Sequence, residues 1–142
     1  FEIPQNLKME MIGSGGGTIT LADAIIISGV IHFSSPDYTV SNGKIKLNEG
    51  SIIDVDHRTI IDSNIIMQGD TTIDIVQGAT LEYRGEALDL LDYQLTFLGD
   101  GTLLNGNAIL LTSAGSLIVF AGDTTVALIE VNGTAPGILV TQ

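Results

Sequence analysis

The densest group of reactive side chains lies at Asp54–Arg58, which reads Asp-Val-Asp-His-Arg. Asp54 and Asp56 are two positions apart on a predicted strand, so both point to one face with their Cβ atoms about 7 Å apart. Two carboxylates at this separation could bind a hard cation such as Ca²⁺, or flank the attacking water of an inverting glycosidase. Arg58 could bind an anion in the same groove.

The favoured interpretation of this cluster is nevertheless structural, because groups of charged side chains on a protein surface are usually solvated and pair weakly with one another. If the coils repeat at a constant length of about 21 residues, Ile75 and Gln77 stack on the two aspartates and add no second row of carboxylates. The sequence therefore predicts no catalytic residue, no metal and no cofactor. Asp54, Asp56 and Arg58 remain the catalytic candidates, and Asp54 and Asp56 the Ca²⁺ candidates.

Other motifs associated with catalysis or binding are incomplete. Gly13–Gly17 has Thr18 where a dinucleotide fingerprint needs its third glycine, and a predicted strand follows it instead of a helix. His32 and His57 are the only histidines and lie far apart in the sequence. Cysteine is absent, which removes disulfides and thiolate chemistry. Residues 132–134 (Asn-Gly-Thr) match the glycosylation acceptor pattern, which is common by chance.

The charge of the chain excludes two classes of partner. The formal net charge is −12, and only five residues are basic. A nucleic-acid-binding surface needs clustered lysine and arginine to neutralise phosphates, and an anionic membrane attracts the same residues. We therefore expect no binding to nucleic acid or membrane.

A periodic pattern of turn residues and apolar residues indicates the fold that would position these side chains. Gly43, Asn64, Gly85 and Gly106 recur at a constant interval, and each is followed two positions later by an apolar residue. Such a period is typical of stacked units that cannot bury their apolar faces alone. The sequence predicts an all-β fold, a short parallel β-helix (β-solenoid) with coils of about 21 residues. The alternative is a β-sandwich or jelly roll.

The predicted strands are short, β-branched and bounded by turn residues. After a strand beginning at Thr18, they are Ala24–Ile27, Val30–Phe33, Tyr38–Val40, Lys44–Leu47, Ser51–Val55, Thr59–Ile61, Ile65–Met67, Thr72–Val76, Thr80–Tyr83, Leu88–Leu91, Gln94–Leu98, Gly101–Leu104, Ala108–Thr112, Ser116–Phe120, Val126–Val131 and Ile138–Val140.

Three segments are expected along the chain: an N-terminal cap or docking arm at 1–13, a glycine-rich link at 14–17 and the solenoid at 18–142. In the first segment, Ile3, Leu7 and Met11 have helical spacing, whereas Lys8–Met11 alternates as a strand. The first residue is phenylalanine, which suggests a processed or truncated chain. The longest apolar runs are far below the ~18 residues of a membrane-spanning helix.

The coil sequences are similar to those of a known group of proteins. Gly15–Leu21 (GGGTITL) followed by Ile25–Gly29 (IIISG) resembles the opening coil of right-handed parallel β-helix proteins, and Gly78–Leu81 and Leu88–Phe97 resemble further coils. This group contains pectate-lyase-like enzymes, phage tailspikes and fibres, and autotransporter passenger domains. The resemblance covers roughly residues 15–131. It implies a parallel β-helix, and the likeness to pectate lyases implies that Arg58 could act as a base.

The expected function is structural. An apolar, aromatic-poor solenoid has long hydrophobic edges and two open ends, and these favour association with other copies. We expect a homo-oligomer (a trimer or a filament) at an extracellular or virion surface, such as a tail fibre, tailspike, capsid-decoration module or surface filament subunit. A truncated polysaccharide lyase or hydrolase and a glycan-binding adhesin are the alternatives, and a cell-surface glycan is a possible ligand.

Overall fold

The structure is a computed structural model that describes residues 1–12 and 16–131, together with the backbone of the strand Gly137–Val140. Residues 13–15, which include part of the predicted glycine-rich link, and the acceptor pattern at 132–134 lie outside the described residues. The described residues form strands, turns and bends, and among them no helix is long and apolar enough to cross a membrane.

The described residues form 18 strands. In order they are β1 (Glu2–Ile3), β2 (Lys8–Met11), β3 (Gly17–Thr20), β4 (Ala24–Ile27), β5 (Val30–Phe33), β6 (Tyr38–Asn48), β7 (Ser51–Val55), β8 (Thr59–Gln68), β9 (Thr71–Ile75), β10 (Thr80–Tyr83), β11 (Leu88–Asp89), β12 (Gln94–Leu98), β13 (Thr102–Asn105), β14 (Ile109–Leu111), β15 (Leu117–Phe120), β16 (Thr125–Val126), β17 (Ile129–Val131) and β18 (Gly137–Val140).

These strands pair in parallel and build a solenoid of about six turns with three faces. Face 1 contains β3, the first parts of β6 and β8, and then β10, β13 and β16. Face 2 contains β1, β4 and the second parts of β6 and β8, followed by β11, β14 and β17. Face 3 contains β2, β5, β7, β9, β12, β15 and β18. The predicted β-solenoid is confirmed, and the sandwich alternative is excluded.

The long strands β6 and β8 turn the corner between faces 1 and 2 without a separate loop. In β6 the pairing register shifts between Ser41 and Lys44, where Asn42 and Gly43 have φ angles of 61° and 55°. Gly43 also lies against the carbonyl oxygen of Asp23, which accepts a hydrogen bond from the Lys44 amide. A Cβ at Gly43 would collide with that oxygen, so this corner requires glycine.

Alternate side chains along each strand point into one continuous core. In β7, Ser51, Ile53 and Val55 are buried, whereas Ile52 and Asp54 face outward. Inward residues stack on their register partners in the neighbouring coils, as Ile53 does on Ile31 and Ile73. Such stacking gives each buried side chain apolar contacts above and below, which stabilises the whole column.

The coil length varies from one face and turn to the next. Ser51 pairs with Thr71, 20 positions later, whereas Thr71 pairs with Leu95, 24 positions later. The predicted period therefore describes only the average coil, which is about 22 residues long. Because each coil differs by a few residues, a fixed period does not determine which outward side chains become neighbours.

At the N-terminal end, β1 pairs with β4 and β2 pairs with β5. Residues Lys8–Met11 form a strand, so the helical spacing of Ile3, Leu7 and Met11 does not produce a helix. The backbone of this segment continues the same parallel ladder as the later coils.

The column structure of the core makes a specific prediction for β7. Ile53→Ala should lower the free energy of unfolding by about 2–5 kcal/mol, because it leaves a cavity between the isoleucines of two adjacent coils. Chemical denaturation would measure this loss. Ile52→Ala on the same strand is the matched control and should cost about 1 kcal/mol or less, because Ile52 faces outward. Equal losses for the two variants would contradict the described inside–outside register.

Candidate functional site

A column of ionisable side chains runs up the outer surface of face 3. The strand register places Glu10, His32, Asp54 and Asp74 directly above one another on β2, β5, β7 and β9. The fixed period predicted from the sequence placed Ile75 over Asp54, and this expectation is wrong. The coil between β7 and β9 is one position shorter than that period, so a second carboxylate, Asp74, continues the column.

His32 lies at the centre of this column and contacts acids on both sides. Its Nδ1 lies 3.0 Å from Oε1 of Glu10 in the preceding coil. Its Nε2 lies 2.8 Å from Oδ2 of Asp56 and 3.8 Å from Oδ2 of Asp54, both in the next coil. The imidazole is mostly covered, with 14% of its side chain exposed, whereas Glu10 is exposed at the rim. One histidine therefore links three successive coils.

The surrounding acids change the protonation of His32. Burial by itself lowers the pKa of His32, but the hydrogen bonds to Glu10 and Asp56 and the charges of Asp54 and Asp56 outweigh it, so the pKa is raised above its ordinary value. The hydrogen bond from His32 likewise lowers the pKa of Glu10 below its usual value. At mildly acidic pH both ring nitrogens therefore carry protons, and each donates to a carboxylate.

The two aspartates of the column have raised pKa values, whereas the pKa of Glu10 is lowered. Burial raises the pKa of Asp54, and the negative charges of Asp74 and Asp56 add to this effect while His32 opposes it. Burial also raises the pKa of Asp74, with a further contribution from the charge of Asp56. The negative charges of the aspartates repel one another on the outer face, and the positive charge of a protonated His32 offsets this repulsion.

The arrangement could also hold a metal ion. One nitrogen of His32 and one carboxylate oxygen each from Asp54 and Asp56 lie within 4.8 Å of one another. Imidazole nitrogen and carboxylate oxygen are ligands that first-row divalent metals accept. Sequence reasoning selected Asp54 and Asp56 and missed His32. The sequence did contain a signal for His32, because His32 precedes its register partner Asp54 by the length of one coil.

Arg58 belongs to a different surface group. Its guanidinium lies 3.7 Å from a carboxylate oxygen of Asp37 and 3.8 Å from one of Glu82, and Arg84 also pairs with Glu82. Both arginine side chains are about half exposed, so these ion pairs contribute little to stability. The structure therefore brings Asp54 and Asp56 together with His32 and pairs Arg58 with other acids. His57 is exposed.

Other acids accept hydrogen bonds from the backbone of the next coil at the corners of the solenoid. Glu49 accepts from the amide of Asp70 at 2.9 Å, and Asp70 in turn accepts from the amide of Gln94 at 2.8 Å. Asp100 accepts from the amide of Asp123 at 2.9 Å. These carboxylates satisfy amides at the turns, so their role is to support the corners.

Comparison with protein-family models, with curated proteins and with solved structures gave no match for this chain. A functional assignment therefore depends on the geometry of the chain itself.

The raised pKa of His32 predicts a pH dependence of stability. A group whose pKa is higher in the folded state stabilises the fold fully below its unfolded pKa, and this stabilisation is lost as the pH rises through the folded pKa. In the presence of a chelator, the melting temperature should fall as the pH rises above the ordinary pKa of histidine, because the folded protein loses the proton of His32 there. The pKa values of Asp54 and Asp74 are also raised, so their deprotonation likewise lowers the stability of the fold as the pH rises, but at lower pH than for His32.

Thermal melts of two variants test this assignment. His32→Gln should flatten the pH dependence, because glutamine does not titrate. His57→Gln is the matched control and should retain it, because His57 is exposed. A wild-type melting temperature that rises as the pH rises above the ordinary pKa of histidine, or a slope unchanged by His32→Gln, would contradict the described network.

Proposed function

We propose that the chain is a non-enzymatic structural module of an extracellular or virion assembly, such as a phage fibre, a tailspike, a capsid-decoration module or a surface filament. It acts by self-association and by presenting its outer faces to a ligand such as a cell-surface glycan. The described β-solenoid supports this proposal, because a stack of parallel coils is a stiff unit that interacts through its side faces. The resemblance of the coil sequences to tailspikes, fibres and passenger domains supports the location.

The observation that carries the proposal is a change in surface chemistry along one edge of the solenoid. On face 3, the position that pairs with Asp74 in the next coil is Leu98. On face 1, the position that pairs with Glu82 is Leu104. The ionisable column of face 3 thus continues as Leu98, and on face 1 the charged Glu82 is followed by Leu104. These leucines are 38% and 48% exposed.

These leucines lie on either side of one corner of the solenoid. Leu98 ends β12 on face 3, and Leu104 lies in β13 on face 1, with only residues 99–101 between the two strands. One coil earlier, the exposed Val76 follows β9 at the same corner. We call Val76, Leu98 and Leu104 the corner patch. Exposed apolar side chains grouped in this way favour burial against another protein surface.

A second copy of the chain is the proposed partner for the corner patch, and the charge distribution supports this choice. All five basic residues lie at or before Arg84, whereas the sequence after Arg84 contains acidic residues and no basic ones. Two copies that meet with an offset along the solenoid axis can place Arg58 and Arg84 of one copy near the acidic coils of the other. Complementary charge of this kind orients partners and suppresses other registers.

Light scattering of the full chain in chelator tests the proposal. The wild-type protein should have a mass that is a multiple of the single-chain mass of 14.9 kDa. The oligomer of the double variant Leu98→Glu/Leu104→Glu should dissociate at concentrations at least about tenfold higher than the wild-type oligomer does, because the variant places charge in the buried interface. Negative-stain images of the same samples would show whether the oligomer is closed or extended.

Leu7→Glu is the control for this experiment, because Leu7 is also an exposed apolar residue and lies outside the corner patch. It should leave the mass unchanged, and far-UV circular dichroism should show that every variant is folded. A wild-type mass of 14.9 kDa at all concentrations would overturn self-association. Equal dissociation of the control and the double variant would overturn the corner patch as the interface.

A further inference from the structure

We propose that the His32–Asp54–Asp56 group is a binding site for a divalent first-row transition metal of the zinc type. The ligands are Nε2 of His32 and one carboxylate oxygen from each aspartate. Glu10 is a positioning residue that orients the imidazole. This proposal does not depend on the proposed function, since its three ligands lie on or directly after the strands of face 3 and none of them belongs to the corner patch.

The distances between the donor atoms fit such an ion after small side-chain adjustments. Nε2 of His32 lies 2.8 Å from the Asp56 oxygen and 3.8 Å from the Asp54 oxygen. Donor atoms bound to zinc at ordinary bond lengths lie roughly 3–3.5 Å from one another. The three donor atoms all lie within 4.8 Å of one another, so small side-chain rotations would bring them to these separations.

The environment of His32 supplies the second argument. Metal-binding histidines usually donate their other ring N–H to a carboxylate, which fixes the tautomer and the orientation of the ring. Nδ1 of His32 lies 3.0 Å from Glu10, on the opposite side of the ring from the two aspartates. This contact holds the proton on Nδ1 and directs Nε2 toward Asp54 and Asp56.

The ligand types select the class of metal. Ca²⁺, which Asp54 and Asp56 alone suggested, prefers six to eight oxygen ligands. The imidazole nitrogen of His32 shifts the preference toward Zn²⁺, Co²⁺ or Ni²⁺, which bind imidazole and carboxylate together. A metal binds the unprotonated Nε2, so any proton on that nitrogen is released to solvent when the ion binds. The charge of the ion then replaces the charge lost from His32.

The parallel ladder holds the three ligands in place before the metal binds. Residues Lys8–Met11 pair with Val30–Phe33, and Val30–Phe33 pair in turn with Ile52–Val55. Glu10, His32 and Asp54 therefore have their backbone positions fixed by hydrogen bonds, and Asp56 follows directly after the last paired residue of β7. A bound ion would join adjacent coils and should raise the melting temperature of the chain.

Calorimetric titration of the chelator-treated full chain with ZnCl₂ tests the proposal, with CaCl₂ as the comparison. We expect one Zn²⁺ per chain and much weaker binding of Ca²⁺. His32→Gln and Asp56→Asn should each weaken Zn²⁺ binding by more than about tenfold, and Glu10→Gln by about tenfold. Co²⁺ absorption spectra of the wild-type protein should show nitrogen and oxygen coordination.

The exposed His57 provides the matched control. His57→Gln should bind Zn²⁺ as the wild-type protein does, and circular dichroism would identify any variant that does not fold. If His32→Gln does not fold, Asp56→Asn and the Co²⁺ spectrum decide the result. Absence of Zn²⁺ binding to the wild type, or equal loss in the control, would overturn the site. Tighter binding of Ca²⁺ than of Zn²⁺ would overturn the role of His32 as a ligand.

Discussion

The structure depends on the hydrogen bonding of each coil to the next. The strands pair in parallel with their register partners in the coils above and below, so the backbone groups of one coil are satisfied by its neighbours. This ladder forces side chains into columns, because a residue always lies above the same kind of position one coil earlier. A column must therefore be compatible with close stacking along its whole length.

Inward columns meet this requirement with apolar residues, and even the polar exceptions are paired. Ser51 and Thr71 are buried register partners, and their hydroxyl groups lie 2.9 Å apart. Asn105 faces inward from β13 and hydrogen-bonds with the backbone of Leu128 in the next coil through both its amide nitrogen and its carbonyl oxygen. Buried polar groups persist here because each has a partner at the distance that stacking imposes.

The outward column that contains His32 meets the same requirement through charge. Asp54 and Asp74 are register partners on adjacent strands, where like charges destabilise a sheet. His32 lies between Glu10 and Asp54 in this column, and the neighbouring carboxylates favour its protonated form and so raise its pKa. The electrostatics of the candidate site are thus a direct result of the ladder.

The sequence predicted the local structure well because local structure follows from short patterns. Val30–Phe33, Ser51–Val55 and Gln94–Leu98 were predicted with the same bounds that the structure has. Tyr38–Val40 and Lys44–Leu47 were predicted as separate strands, whereas parallel pairing resumes directly after the corner at Asn42 and Gly43 and both segments belong to β6. Turn residues mark a change of direction, and they do not reveal whether a strand continues beyond it.

The candidate site was only partly predictable, because it depends on register across coils. Asp54 and Asp56 are close in sequence and were found together, but His32 and Glu10 reach them through pairings between separate coils. A difference of one residue in coil length turns a side chain from the outer surface to the core. For this reason the fixed period placed the inward Ile75 over Asp54, where the shorter coil places the outward Asp74. Chemistry on a solenoid surface is therefore determined by the length of each individual coil, which the average period does not contain.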